Sequence, residues 1–107
     1  MESILHSTVF SFNSSVDYST GSIVSRQFVK NNYGTVTLFA FDQGQSLSEH
    51  TAPFDALVQV VDGTAEISIN KQKYILQSGE SIIMPADVPH AVSAPVRFKM
   101  LLVMIKG

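Results

Sequence analysis

An all-β sandwich or barrel with little or no helix is the fold class this sequence predicts. Three observations carry it. Short runs rich in Val, Ile, Phe and Thr recur at regular spacing, with Gly, Pro, Asn and Asp between them. One of them, Thr64 to Asn70, alternates without a fault: Ala65, Ile67 and Ile69 share one face, and Thr64, Glu66, Ser68 and Asn70 the other. No segment carries an apolar helical period long enough to outweigh these strands. At 107 residues, 45% hydrophobic and 15% charged, the chain has the material for one domain with a real core and is not a disordered chain.

In chain order, the N-terminal stretch up to Gly21 reads as an arm and loop. Val9, Phe10 and Phe12 make either a short strand or an arm that packs on a neighbour, followed by the polar turns Asn13-Ser14-Ser15 and Ser19-Thr20-Gly21. Residues 22–107 read as the barrel. Ser22 to Lys30 is a β-branched and aromatic strand, closed by the turn Asn31 to Gly34. Thr35 to Phe41 is apolar or threonine throughout, as expected of a strand buried on both faces. A further strand ends at His50. Ala56 to Val61 follows, and Asp62-Gly63 predicts a hairpin turn into Thr64 to Asn70. Lys73 to Gln77, Ser81 to Met84, His90 to Ala94 and Val96 to Lys106 complete the set. The last of these places Val96, Phe98, Met100, Leu102 and Met104 on one face. Counted through, this predicts roughly ten short strands.

Composition removes several function classes. A formal charge of −2 and no basic run give no field to collect nucleic acid or an anionic membrane. With no cysteine, disulfides, thiolate catalysis and thiolate metal sites are excluded, which suits a reducing cytoplasm. The N-terminus, MESILHSTVF, has neither the positive start nor the apolar run of a secretory signal, and no run is long enough for a membrane span. A cytoplasmic protein with no nucleic-acid and no membrane partner is expected.

Two segments organise the chain, Gly44 to Gly63 (GQSLSEHTAPFDALVQVVDG) and Gly79 to Ala94 (GESIIMPADVPHAVSA). Their glycines, prolines and histidines resemble the two motifs of the cupin superfamily of small jelly-roll β-barrels. Gly44, His50 and Gly63 fall on the marks of the first motif, and Gly79, Pro85 and His90 on those of the second. The resemblance implies a single cupin domain of jelly-roll topology. It also implies a metal site, which in the family is held by three histidines and a glutamate. Here Ala52 stands at the second histidine and Ala56 at the glutamate, while Asp87 replaces a glycine and Ala94 an asparagine. Only His50 and His90 remain as metal ligands, and a catalytic metal needs about three protein ligands and an open position. Glu49 faces away by strand alternation, Asp55 sits one residue out of phase, and His6 lies on the arm, so none has the spacing of a third ligand. A weakly bound divalent transition metal is all the cofactor that this set suggests.

With the strand phase of the family, the resemblance places His50, Ala52, Ala56, Val58 and Val60 on the interior wall. His90, Val92, Ala94, Met100 and Leu102 face them, with Phe98 and Met84 near the mouth or floor. Alanine at the family's polar positions leaves an apolar cavity with two imidazole anchors, suited to a small, mostly apolar organic ligand. Three function classes follow: a small-molecule binding module, which this composition favours; an enzyme, either a metal-dependent dioxygenase or isomerase with a further ligand or a metal-free acid–base catalyst; and a structural or regulatory dimer with a vestigial pocket. Leu57 and Val61, apolar on the outward side of their strand, and the arm point to a homodimer.

Overall fold

Fifteen consecutive residues, Asp55–Ile69, form the strand β4 that builds both halves of the barrel. The computed structural model describes residues 6–106; the first five residues of the expected arm and the last residue of the expected barrel lie outside them. Around β4 stand β1 (Ile23–Asn31), β2 (Gly34–Phe41), β3 (Ser46–His50) and β5 (Gln72–Gln77). The strands β6 (Ser81–Met84), β7 (His90–Ser93) and β8 (Phe98–Ile105) complete the set. All pairings are antiparallel. The first half of β4 lies between β8 and β6, in a first sheet that continues through β2 to β1. Its second half lies between β7 and β5, in a second sheet that ends on β3.

The expected hairpin at Asp62-Gly63 is not there. The register against β8 slips between Val60 and Asp62, and Gly63 has φ +74°, so the strand bulges and passes from one sheet to the other without turning back. An Asp-Gly pair supplies the left-handed backbone a bulge needs as readily as the one a tight turn needs, and local sequence does not tell them apart. This merges two expected strands. The arm accounts for the other difference in count, because Phe12–Ser14 form a 3-10 turn rather than a strand. Eight strands result.

Period-two alternation sorts the side chains into two clusters. Inside lie Phe41, Ala56, Val58, Val60, Ile67, Phe98 and Met100 with their neighbours. Phe41 and Phe98 stack at 4.5 Å between ring centroids, which adds about 0.5–1.5 kcal/mol to their area burial. Outside the first sheet, Leu38 and Ala40 of β2 are covered by Val16 of the arm, with Phe12, Tyr18 and Val61 packed against them. Phe10, Phe12 and Phe28 meet pairwise at 5.3 Å, so the arm packs on its own barrel. The arm is also clasped by polar contacts. Tyr18 donates to Asp62 Oδ2 at 2.5 Å, and the buried Lys99 ammonium donates to Asn13 O at 2.5 Å while lying 5.0 Å from the centre of the Tyr18 ring. Burial, and then the Asp62 carboxylate, push the Tyr18 phenol well above its ordinary range, so it remains a donor.

The turn from β4 to β5 has Asn70 at φ 50° and Lys71 at φ 69°. Both central residues of this two-residue hairpin are left-handed, a conformation that costs an L-residue other than glycine about 1–2 kcal/mol. Lys71→Gly is therefore expected to stabilise the protein by about 1 kcal/mol, raising the melting temperature by about 4–8 °C in a thermal melt. A lower melting temperature would contradict the assignment of this turn.

Candidate functional site

His50 ends β3 and His90 begins β7, and the two residues are direct cross-strand partners. Their rings meet edge to face at 4.4 Å between centroids. His90 also pairs with Ile69 of β4 and is buried at 6% exposure, whereas His50 lies at the exposed rim. Each ring is held by a carbonyl two residues earlier in the chain: His50 Nδ1 lies 2.7 Å from Ser48 O, and His90 Nδ1 lies 3.2 Å from Val88 O. A carbonyl oxygen only accepts, so both Nδ1 atoms carry the proton. In the neutral rings Nε2 is then the bare nitrogen, with a lone pair free for a ligand proton or a metal.

Burial holds the His90 pKa below the ordinary value of 6.5; the Val88 carbonyl pulls it part of the way back and the His50 ring adds to the depression. The stability consequence has a definite sign. Between 6.5 and the lower folded pKa the unfolded chain binds a proton that the folded chain does not. The contribution is therefore complete above pH 6.5 and is lost as the pH falls through the folded pKa. The melting temperature is expected to fall between pH 7.5 and 5.5 by less in His90→Gln than in the parent protein. Equal slopes in the two would contradict a buried, neutral His90.

The interior residues expected from the sequence are placed as follows. Ala56, Val58, Val60, Val92, Ala94 and Met100 belong to one buried cluster, with Leu102 half-buried against it. Val58 and Val60 have no exposed surface and Met100 only 1%, so side chains fill the depth of the barrel. Phe98 and Met84, expected near the mouth or floor, are both buried. Ala52 is half-buried in the loop between β3 and β4, whose carbonyl accepts the Asp87 N–H at 2.8 Å. Register aligns the inward residues in rows: Thr35, Met104, Ala56 and Met84 form one, and Thr37, Leu102, Val58 and Ile82 the next. Short loops, residues 51–54 and 85–89, join Ala56 and Met84 to the histidine pair, so that pair and the first row share one end of the barrel.

The donor set does not fit a resident catalytic metal. Among the described residues no group of three or more His, Asp or Glu side chains is placed to hold an ion. Asp55 is exposed and accepts the Ala86 N–H at 2.9 Å, Glu49 is exposed, and His6 is exposed on the arm. Two imidazoles would leave most of the coordination sphere to water or a guest. Asp87 sits at φ 63°, which explains a glycine at that place in the family motif and makes this residue a turn former. Asp42 is an anchor too, accepting from Arg97 Nε and from Gly21 N–H, each at 2.7 Å. Thr35 is the residue that sequence reasoning missed. Its Oγ1 is buried without a hydrogen-bond partner, and a threonine inside an apolar run reads simply as a strand former.

The family model described as a cupin domain matches residues 37–105. A conserved protein of unknown function from Streptococcus pyogenes is 36% identical, with a TM-score of 0.93 over 99% of this chain and 93% of its own. A cupin 2 conserved barrel domain protein from Leptotrichia buccalis is 40% identical, with a TM-score of 0.88 over 91% of this chain. This chain spans about half of that protein, 47% of its length. A cupin superfamily protein from Desulfitobacterium hafniense is 27% identical, with a TM-score of 0.83 over 86% of this chain and 84% of its own. No curated protein matches. Among the described residues no helix is long and apolar enough to cross a membrane.

Proposed function

The chain belongs to the cupin family, and from that premise we propose that it binds a small, neutral, mostly apolar organic molecule at the histidine end of the barrel. The observation that carries the reading is the imidazole pair. Two rings 4.4 Å apart, each with Nδ1 committed to a carbonyl, present bare Nε2 atoms beside an apolar interior, with no third ligand among the described residues. A hydroxyl on the guest donates to one of these nitrogens, and its apolar body rests on half-buried Leu102 and Met104 and the small Ala52. The deep residues form the floor. A dioxygenase or isomerase would need a further metal ligand that the described residues do not supply. A cytoplasmic location belongs to the same proposal.

The test is a titration with 4-methylphenol, followed by calorimetry. The parent protein is expected to bind it, and His90→Ala to lose at least tenfold in affinity. Binding that is unchanged in both His50→Ala and His90→Ala would overturn the reading.

A separate observation supports a homodimer. Across the outer face of the first sheet, Val29, Val36, Val103, Leu57 and Ile83 stand side by side on five neighbouring strands. Val29, Leu57 and Ile83 are 46%, 41% and 61% exposed. The outer face of the second sheet is mainly polar, with Ser46, Ser93, Glu66, Ser68 and Lys73 around the exposed Ile75. Val61, which the sequence placed with Leu57, is already covered by the arm. An apolar row centred on Val103 matches a second copy of itself across a two-fold axis. Sedimentation at micromolar concentration is expected to show a dimer that Val103→Lys converts to monomer; a parent protein that sediments as monomer would contradict it.

A further inference from the structure

Thr35 Oγ1 is the one buried side-chain nitrogen or oxygen among the described residues that has no hydrogen-bond partner, and the residue is 8% exposed. A hydroxyl in that state is unfavourable, and a valine of nearly the same shape would avoid the penalty. Polar groups that a fold would be more stable without are a mark of function. The position agrees. Thr35 pairs with Met104, and Met104 pairs with Ala56, so the hydroxyl shares the inward row of Ala56 two strands away, about 10 Å by strand spacing. That row lies at the end of the barrel that holds His50 and His90. Met104, between Thr35 and Ala56, is half-buried and has an unbranched, adaptable side chain that can yield to a guest. The other buried polar or charged residues described are His90 and Lys99, and Lys99 lies on the outer face of the sheet with Ala40 and Tyr18, so no buried charge faces Thr35 and the group that meets it is taken as uncharged.

We propose that Thr35 is a specificity-determining residue whose hydroxyl hydrogen-bonds a second polar group on a neutral ligand, opposite the end held by the imidazoles. The inference rests on the ligand-binding reading above. It narrows the ligand to a compact molecule with two uncharged hydrogen-bonding groups separated by an apolar frame, as in a hydroxylated aromatic alcohol.

Two probes and one isosteric variant test it. The parent protein is expected to bind 4-(hydroxymethyl)phenol at least tenfold more tightly than 4-methylphenol, which lacks the second hydroxyl. Thr35→Val is expected to bring the two probes to equal affinity without weakening 4-methylphenol, and Thr35→Ser to keep the preference. Free Thr35→Val is expected to melt at a higher temperature than the parent, because the orphan hydroxyl is gone. A variant that melts lower shows the hydroxyl satisfied in the free protein, by water alone, and overturns the inference. A parent that binds the probes equally overturns it while leaving the pocket standing. Failure of the parent to bind either probe overturns the ligand-binding reading and this inference with it.

Discussion

Gly63→Ala is expected to bring the protein close to unfolding. Two effects add at this residue. Its backbone is left-handed, φ +74°, which costs an alanine about 1–2 kcal/mol. A Cβ built there would also lie 2.0 Å from Arg97 O and 2.9 Å from Phe98 Cα, both backbone atoms that cannot rotate away. Relief requires β4 to part from β8 where the bulge carries the chain between sheets, and where Phe98 begins the strand that stacks on Phe41. A loss of about 4–5 kcal/mol is expected, at the upper end of what single substitutions do and a large share of a total near 5–15 kcal/mol. In a circular dichroism melt this amounts to a fall of roughly 20 °C or more. A loss below about 1 kcal/mol would mean that the bulge is not constrained as described.

Ala52→His combined with Ala56→Glu is expected to build a tight metal site around the two histidines. His50 and His90 already meet with their Nε2 lone pairs free, and the two added side chains stand at the positions that resemblance assigns to the missing ligands. Zinc affinity at neutral pH is expected to rise at least a hundredfold, about 2.7 kcal/mol. The metal-free double variant is expected to be less stable than the parent, because position 56 is only 2% exposed and an unpaired carboxylate there is poorly solvated. Zinc should restore the loss, since binding to the folded state alone is folding free energy. Calorimetry and a thermal melt with and without zinc check both halves. An unchanged zinc affinity would show that Ala52 and Ala56 do not face the histidine pair.

Much of this was legible in the sequence because it depended on local rules. Alternation in Thr64 to Asn70 and the run from Phe98 to Met104 report a buried face directly, and the Gly-to-His spacings resemble family motifs whose histidines meet, as His50 and His90 do on the neighbouring strands β3 and β7. What was not legible depended on contacts distant in the chain. Asp62-Gly63 satisfies a bulge as well as a turn, and only β8 on one side and the second sheet on the other decide between them. Val61 looks outward by phase, yet Val16 and Phe12, far back in the chain, cover its face. The missing partner of Thr35 Oγ1 is a property of its whole surroundings, which no residue type or spacing announces.

Nitrogen NMR of the histidine rings reads directly whether the Nε2 atoms of His50 and His90 are available to a guest. At pH 7.5 the expected spectrum shows His50 and His90 protonated at Nδ1 and bare at Nε2, unchanged when EDTA is added. On titration with 4-methylphenol, the Nε2 signals are expected to move while Nδ1 stays bonded to the Ser48 and Val88 carbonyls. Nε2 signals that shift on chelation, or that ignore 4-methylphenol at millimolar concentration, would contradict that availability.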